Sequence, residues 1–273
     1  MEPGADDLSL ERAAFDVQSE GFDLFRAACL MPRVEGREVD VQACVETVER
    51  WAANVRILEG DPADARVRLV HHLFLDQRLR GDPQASEAPD ASFIDHALET
   101  RRGLPITLSL IALAVAEAAG VPAFPVALPK HFVVGLGQHD SFVLVDAFGG
   151  GRLLRLEDVY AISGIANVEG LAESIGTSTP ERVLMRLLAN LHTCYLRRGE
   201  RAPLQRVLSR MLIFDARNAG LWLQRAQLRL DDADFQGASE DVGEARRLEP
   251  EQDWERVADD VERRIDTLGK TLQ

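Results

Sequence analysis

The fold of this chain is decided by the stretch RRGLPITLSLIALAVAEAAGVP, residues 101–122. Between Pro105 and Ala119 the residues are almost continuously apolar, which is typical of a helix that is buried on every side. Pro105 suits the first helical position, because its fixed φ favours helix entry and an N–H there would lack a helical partner anyway. Gly120 suits the left-handed position that closes a helix. The stretch therefore predicts a central, buried helix.

Three short runs with β character follow this helix, at residues 121–128, 131–136 and 142–148. They are separated by a proline and by the polar segment GQHD. Strands this close in the chain pair in antiparallel fashion, because a parallel pair needs a long crossover. Residues 92–170 are therefore predicted to form an α+β core, in which helices lead into a small antiparallel sheet.

The N-terminal part, residues 1–91, predicts a helical subdomain that ends in a linker. In residues 41–55 apolar side chains recur at three- and four-residue steps, the spacing of one buried helical stripe. Further helices are predicted at residues 8–31 and 64–79. The segment RGDPQASEAPDAS, residues 80–92, is rich in Gly, Pro, Ser and acid, and its few apolar side chains cannot offset the entropy of ordering. It is predicted to be a loop or linker.

Helical periodicity returns after the sheet, and residues 171–273 are predicted to form a tetratricopeptide-like helical region. A unit that begins near residue 219 and closes at Pro250 carries motif residues at Trp222, Ala226, Ala238 and Ala245. A more degenerate unit precedes it by about 34 residues. Because two units are too few for a free-standing solenoid, we expect these helices to pack on the core.

The composition indicates a folded, acidic protein. The chain has 273 residues, 46% of them apolar, and a formal charge of −14, which opposes binding to nucleic acid or to an anionic membrane surface. Its apolar runs are too short to span a bilayer, and its three cysteines have neither a disulfide nor a metal-site spacing. The acidic N-terminus lacks the basic start and apolar run of a secretion signal. We therefore predict a cytoplasmic protein with no cofactor, no metal and no membrane insertion.

Two further motifs place candidate catalytic residues after the central helix. LPKHFVVGL, residues 128–136, carries His131, and FVLVDAFGGG, residues 142–151, carries Asp146. A helix N-terminus, a His on one strand and an Asp on the next is the order in which papain-like and transglutaminase-like folds assemble a Cys, His and Asp triad. There the helix N-terminus lowers the pKa of the thiol, the His takes its proton and the Asp orients the imidazole.

In these motifs the chain resembles the SirB-type branch of the transglutaminase-like superfamily. His131 lies in the PxHF setting of that branch, and VDAFGGG around Asp146 is similar to its DPFxGG element. Gly-Val-Pro at 120–122 is similar to the Gly-Ile-Pro that ends the superfamily's central helix. The resemblance covers nearly the whole chain. It implies a helical N-terminal region, a transglutaminase-like core and C-terminal tetratricopeptide helices, in that order.

The nucleophile of the superfamily is missing from its place. Gly-Leu-Pro at 103–105 stands where the superfamily has Gly-x-Cys, so Pro105 occupies the nucleophile position and offers no attacking atom. The cysteines, Cys29, Cys44 and Cys194, each fit an apolar helical stripe and are predicted to be core residues. Ser109, one turn beyond Pro105, is the alternative nucleophile, although we expect its hydroxyl to be buried and bonded to the carbonyl of the preceding turn.

Three functions are compatible with this pattern. The first is a non-catalytic scaffold with a vestigial His131 and Asp146 pair, which binds a protein or peptide partner through its C-terminal helices. The second is an amidase, peptidase or acyl transferase that uses His131 and Asp146 with water or Ser109. The third is binding of a small molecule in the remnant cleft. As a purely structural alternative, His131 and Asp146 form a hydrogen-bonded pair that stabilises two strands.

Two weaker motifs do not predict a function. His71 and His72 are adjacent, so on an α-helix their side chains diverge by about 100° and are not expected to share a metal. The triglycine at 149–151 lacks the Lys and Ser/Thr of a P-loop and predicts a tight strand-end turn.

Overall fold

The chain is mostly helical and carries a small antiparallel sheet, which confirms the predicted α+β class. The computed structural model describes residues 14–16, 18–19, 21–55, 62–83, 87–138, 140–165, 167–176, 178–248 and 252–271. Within these residues no helix is both long and apolar enough to cross a membrane.

Before the linker, the helix predicted at 41–55 is present with those bounds, and the other predicted helices differ from their predicted ranges. This part contains α1 (Leu24–Cys29), a 3-10 turn (Met31–Glu35), α2 (Val41–Val55), α3 (Pro62–Val70) and a π-helical turn (His71–Asp76) that continues α3. The predicted stripe of α2 is buried, with Cys44, Val48, Trp51, Ala52 and Val55 inside. Within the predicted helix at 8–31, Ala14 is helical, residues 15–16, 18–19 and 21–23 are not, and a helix begins after Asp23, whose carboxylate accepts the N–H of Arg26. Residues 8–13 lie outside the described residues.

A short parallel ladder lies where composition predicts only a linker. β1 (Arg80–Gly81) pairs in parallel with β2 (Arg102–Gly103), which follows helix α4 (Ile94–Thr100). Pro89–Ser92 forms a 3-10 turn. The two ends of the predicted linker are therefore ordered, and residues 84–86 lie outside the described residues. Ladder hydrogen bonds use backbone groups that every residue carries, so side-chain composition could not reveal them.

The central helix is present as predicted, as α5 (Pro105–Ala119). It is buried on every side through most of its length, since ten of its side chains between Ile106 and Ala116 are buried. Gly120 closes it in the left-handed conformation at φ 74°, and its N–H donates to the carbonyl of Glu117. The apolar helix and its terminal residues thus decide the centre of the fold.

The sheet has four antiparallel strands in sequential order. They are β3 (Ala123–Val126), β4 (Val133–Gln138), β5 (Ser141–Asp146) and β6 (Arg152–Leu154). The predicted meander corresponds to the first three. β6, which was not predicted, pairs Arg152 with Asp146 at the sheet edge. Its three residues are too few to show an alternating pattern in the sequence.

Two compact units make up the chain, Met1–Leu187 and Leu188–Gln273. The remaining helices are α6 (Leu156–Ser163), α7 (Val168–Gly176), α8 (Pro180–Arg198), α9 (Arg201–Phe214), α10 (Ala219–Asp231), α11 (Phe235–Arg247) and α12 (Gln252–Thr271), and the boundary falls inside α8. The second unit has its own core, formed by Leu223, Ala226, Leu230, Ala238, Val242, Ala245, Ala258 and Val261. The predicted three-part division and the tetratricopeptide identity of these helices stay predictions, and Pro250 lies outside the described residues.

Candidate active site

The hairpin of β4 and β5 brings His131 and Asp146 together. His131 precedes β4 and Asp146 ends β5, and the register pairs Val134 with Val145. The Nε2 atom of His131 lies 2.9 Å from Oδ1 of Asp146, so the ring N–H donates to the carboxylate. Both side chains are mostly buried, with 12% and 8% of their surfaces exposed. This geometry orients an imidazole and leaves its other nitrogen for a reacting group or ligand.

A tight glycine turn holds the carboxylate of Asp146. The N–H of Gly149 donates to Oδ1 of Asp146 at 3.0 Å, and the N–H of Gly151 donates to the Asp146 carbonyl at 2.9 Å. Gly150 and Gly151 have φ values of 72° and 83°, which favour glycine. A Cβ on Gly149 would lie 2.6 Å from Oδ2 of Asp146. The triglycine is therefore the strand-end turn predicted from the sequence, and it fixes the acid of the pair.

Asp146 remains ionised in this environment. Burial acts to raise its pKa, but the hydrogen bonds from His131 and from the Gly149 N–H, with the charges of His131 and Arg152, outweigh burial and hold the pKa below its ordinary value. An ionised Asp146 keeps the proton of its hydrogen bond on the imidazole Nε2.

The backbone around His131 is held by a half-buried arginine that sequence reasoning missed. Arg186 of α8 donates from Nη1 to the Leu128 carbonyl at 2.6 Å and from Nη2 to the His131 carbonyl at 2.8 Å. Its guanidinium also lies over the ring of Phe132, 5.8 Å from the centroid. Burial lowers the pKa of Arg186. No local motif marks this residue, because it lies 55 residues from His131 in the chain.

The imidazole is bordered by an aromatic ring and has one unbonded nitrogen. The ring of Phe148 meets His131 edge-on, at 6.2 Å between centroids and 87° between planes. Among the described residues, Nδ1 of His131 has no hydrogen-bond partner. The pair is therefore oriented through Nε2 and open at Nδ1.

The start of the central helix offers no nucleophile. Pro105 is the first residue of α5, after Leu104 in extended conformation. Ser109 is fully buried, and its hydroxyl donates at 3.4 Å to the carbonyl of Phe132, beside His131. The hydroxyl is buried as predicted, but the predicted bond to the preceding turn of the helix is wrong, because Phe132, just before β4, supplies the carbonyl. A hydroxyl with no exposed surface and an occupied proton is a poor nucleophile.

The three cysteines are buried and are not in disulfides, as predicted for core residues. A hydrogen bond with Cys44 and burial both raise the pKa of Cys29, which keeps that thiol protonated and unreactive. Within the described residues no cysteine is a hydrogen-bond partner of His131.

His71 and His72 meet the same carboxylate, although adjacent residues of an α-helix would diverge. Their Nδ1 atoms lie 3.5 Å and 3.1 Å from the two oxygens of Asp76, because this segment is π-helical. With Asn54 and Arg68 they line a cavity of about 420 Å³. Even so, no group of three or more His, Cys, Asp or Glu side chains in the described part of the chain is arranged to hold a metal ion.

A buried helix followed by a hairpin that pairs a His before one strand with an Asp at the end of the next is the arrangement of a transglutaminase-like core. Residues 40–189, more than half of the chain, match the family model described as Transglutaminase-like superfamily, and the chain belongs to this superfamily. Both the central helix and the His131 and Asp146 hairpin lie inside the matched region.

Among curated proteins the chain is similar to bacterial and animal relatives. It is 27% identical over 197 residues to a UPF0162 protein of Xylella fastidiosa strain 9a5c, covering 69% of this chain and 70% of the relative. It is 28% identical over 188 residues to a UPF0162 protein of the Temecula1 strain, covering 66% and 67%. It is also 30% identical over 115 residues to F-box only protein 21 of Mus musculus, covering 39% of this chain and 18% of that protein.

Proposed function

We propose that this protein is a non-catalytic member of the superfamily, close to its SirB-type branch, and that it binds a protein partner through the helices of its second unit. The observation that carries the proposal is Pro105 at the first residue of α5, where a triad of this kind needs a thiol. Three buried cysteines that are not in disulfides are compatible with a reducing, cytoplasmic location, which is part of the proposal.

The loss of thiol chemistry is supported by what surrounds His131. A general base accelerates acyl transfer only when it takes a proton from an attacking atom. Pro105 supplies no such atom, and the hydroxyl of Ser109 is buried against the Phe132 carbonyl. The His131 and Asp146 pair then serves to hold the hairpin and the glycine turn together.

Partner binding by the second unit is supported by its surface. Among its described residues Leu196 of α8 is a large apolar side chain that is 53% exposed. The tetratricopeptide-like spacing of α10 and α11 favours the same role, since paired helices of this kind form peptide-binding surfaces. The charge of −14 favours a basic or amphipathic partner segment.

Restoring the thiol tests whether this site is a degenerate superfamily site. In Pro105→Cys, a thiol at the start of α5 should be alkylated by iodoacetamide at pH 6, whereas the native buried cysteines should react slowly. Adding His131→Ala should slow that alkylation about tenfold, because the imidazole no longer stabilises the thiolate. Equal rates with and without His131 would show that the imidazole does not face this position.

Partner binding is tested by a matched pair of surface variants. Leu196→Gln should lose partners that the wild-type chain retains in a pull-down, whereas Leu153→Gln should keep them. Leu153 is a suitable control because it is 59% exposed on β6, in the first unit. Retention of every partner by Leu196→Gln would contradict a binding surface at this position.

A hydrolase remains the second candidate, and one observation favours it. Nδ1 of His131 has no hydrogen-bond partner among the described residues, so the imidazole could activate a water molecule. A screen of amide and ester substrates should show no turnover that depends on His131 if the protein is non-catalytic. Turnover that His131→Ala abolishes and Ser109→Ala leaves unchanged would establish the water mechanism instead.

A further inference from the structure

Five arginines gather around the short parallel ladder in a chain that is otherwise strongly acidic. They are Arg50 on α2, Arg78 and Arg80 at β1, and Arg101 and Arg102 at β2, and we call them the arginine cluster. The chain has 45 acidic and 31 basic residues, so an arginine surrounded by carboxylates is the ordinary case. Within the described residues, however, none of the five forms an ion pair.

Backbone pairing holds the cluster together. Arg80 is the ladder partner of Arg102, so these two side chains leave the ladder on the same face. The N–H of Arg80 donates to the Arg101 carbonyl at 3.1 Å, and Nη1 of Arg102 donates to the Arg78 carbonyl at 3.3 Å. The like charges are therefore held close by the fold itself.

Arg101 is fixed in place yet incompletely bonded. Its guanidinium lies over the ring of Trp51, 4.7 Å from the centroid, and its backbone is left-handed at φ 64°. Its buried Nη1 atom has no hydrogen-bond partner among the described residues. Burial, and then the nearby charge of Arg50, lowers its pKa, which is the cost of holding a cation here without an anion.

We propose that the arginine cluster is a binding site for an oxyanion, the phosphate or carboxylate group of a ligand. Guanidinium groups present planar pairs of N–H donors that match the oxygens of both groups. A bound oxyanion would supply the acceptor that Nη1 of Arg101 lacks and would offset the repulsion among the five cations. This inference does not rest on the proposed function, because it requires neither catalysis nor partner binding by the second unit.

The backbone of the ladder contacts Phe148, the residue that borders His131. The N–H of Gly81, next to Arg80, donates at 2.8 Å to the carbonyl of Phe148, and the ring of Phe148 meets His131. A Cβ on Gly81 would meet the Phe148 ring, and neighbouring strand residues face opposite sides, so the Arg80 side chain leaves the ladder on the side away from Phe148.

Titration calorimetry of the full chain at low ionic strength tests the proposal, with inorganic phosphate and succinate as probes and sodium chloride as the ionic-strength control. A double variant that combines Arg50→Gln and Arg80→Gln, two exposed positions, should bind the probes about tenfold or more weakly. This is the loss expected when hydrogen bonds to a charged group are removed. Arg101→Gln should weaken binding similarly. Arg217→Gln, at an exposed arginine of the second unit, should leave the affinity unchanged.

The outcomes separate the two sources of the oxyanion. Binding of phosphate alone identifies a phosphate group, binding of succinate alone identifies a carboxylate, and binding of both supports the shared chemistry. Binding of neither probe above the chloride control overturns the proposal. So does an equal loss in Arg217→Gln and in the double variant, and circular dichroism confirms that each variant is folded.

Discussion

At the scale of single residues, Asp146 links the sheet to the candidate site. Its Oδ1 atom accepts from His131 and from the N–H of Gly149, so one oxygen both orients the imidazole and closes the glycine turn. Hydrogen bonds to an ionised acceptor are stronger than those between neutral groups. The residue therefore stabilises the fold whether or not the imidazole takes part in chemistry.

The lowered pKa of Asp146 predicts a pH-dependent contribution to stability. Because the folded state holds the ionised form better than the unfolded state does, the contribution is full above the unfolded pKa of about 4 and is lost as pH falls through the folded pKa. Asp146→Asn should therefore lower the free energy of unfolding at pH 7, and the difference from wild type should shrink below about pH 4. Urea denaturation at several pH values measures both.

Asp140→Asn is the control for this prediction, because Asp140 is exposed in the same hairpin. It should change the unfolding free energy little at any pH. An Asp146→Asn effect of equal size at pH 3 and pH 7 would contradict the account.

At the scale of elements, two glycines in the turn between β5 and β6 are required for different reasons. Gly150 and Gly151 both have positive φ, but a Cβ on Gly150 would meet open space, whereas one on Gly151 would overlap the ring of Phe74. The first glycine is required by backbone conformation alone, and the second by conformation and space together.

Alanine at these two positions should therefore destabilise the protein to different extents. Gly150→Ala should lower the free energy of unfolding by about 1 kcal/mol, the usual cost of a left-handed non-glycine residue. Gly151→Ala should cost about 1–3 kcal/mol more, because Phe74 must shift in a packed core. Thermal and urea denaturation of the two variants give the comparison, and equal losses would mean that the Phe74 contact has no energetic effect.

At the scale of the whole molecule, the second unit is held by a buried ion network. Asp241 of α11 is 1% exposed and accepts two hydrogen bonds from Arg225 of α10, at 2.9 Å and 2.6 Å. Arg229 lies 3.2 Å from the same carboxylate. Removing one partner of such a network leaves buried charges uncompensated.

Asp241→Ala should accordingly lower the stability of the second unit by about 3–5 kcal/mol. Hydrogen exchange should show reduced protection in α10 and α11. Asp259→Ala is the matched control, because Asp259 also pairs with an arginine but is 58% exposed, and surface pairs contribute about 1 kcal/mol or less. Equal losses of protection in the two variants would contradict a special role for the buried network.

The pattern of neighbouring residues predicted those parts of the fold that depend on interactions between neighbours in the chain. Apolar continuity and the flanking Pro105 and Gly120 predicted α5, and short runs between turn residues predicted the antiparallel strands. The hairpin that follows from them brings together His131, just before β4, and Asp146, the last residue of β5, so the sequence alone singled out these two side chains. Their roles, and that of Ser109, stay predictions.

The sequence by itself thus determined the buried helix, its ends, the meander and the proline at the helix start, because periodicity and turn chemistry act between near neighbours in the chain. Only the tertiary structure decided the pairing of β1 with β2, the hydrogen bond from Arg186 to the His131 carbonyl and the proximity of the residues in the arginine cluster. These features depend on backbone groups that all residues share, and on contacts between residues far apart in sequence. No local pattern of side chains carries that information.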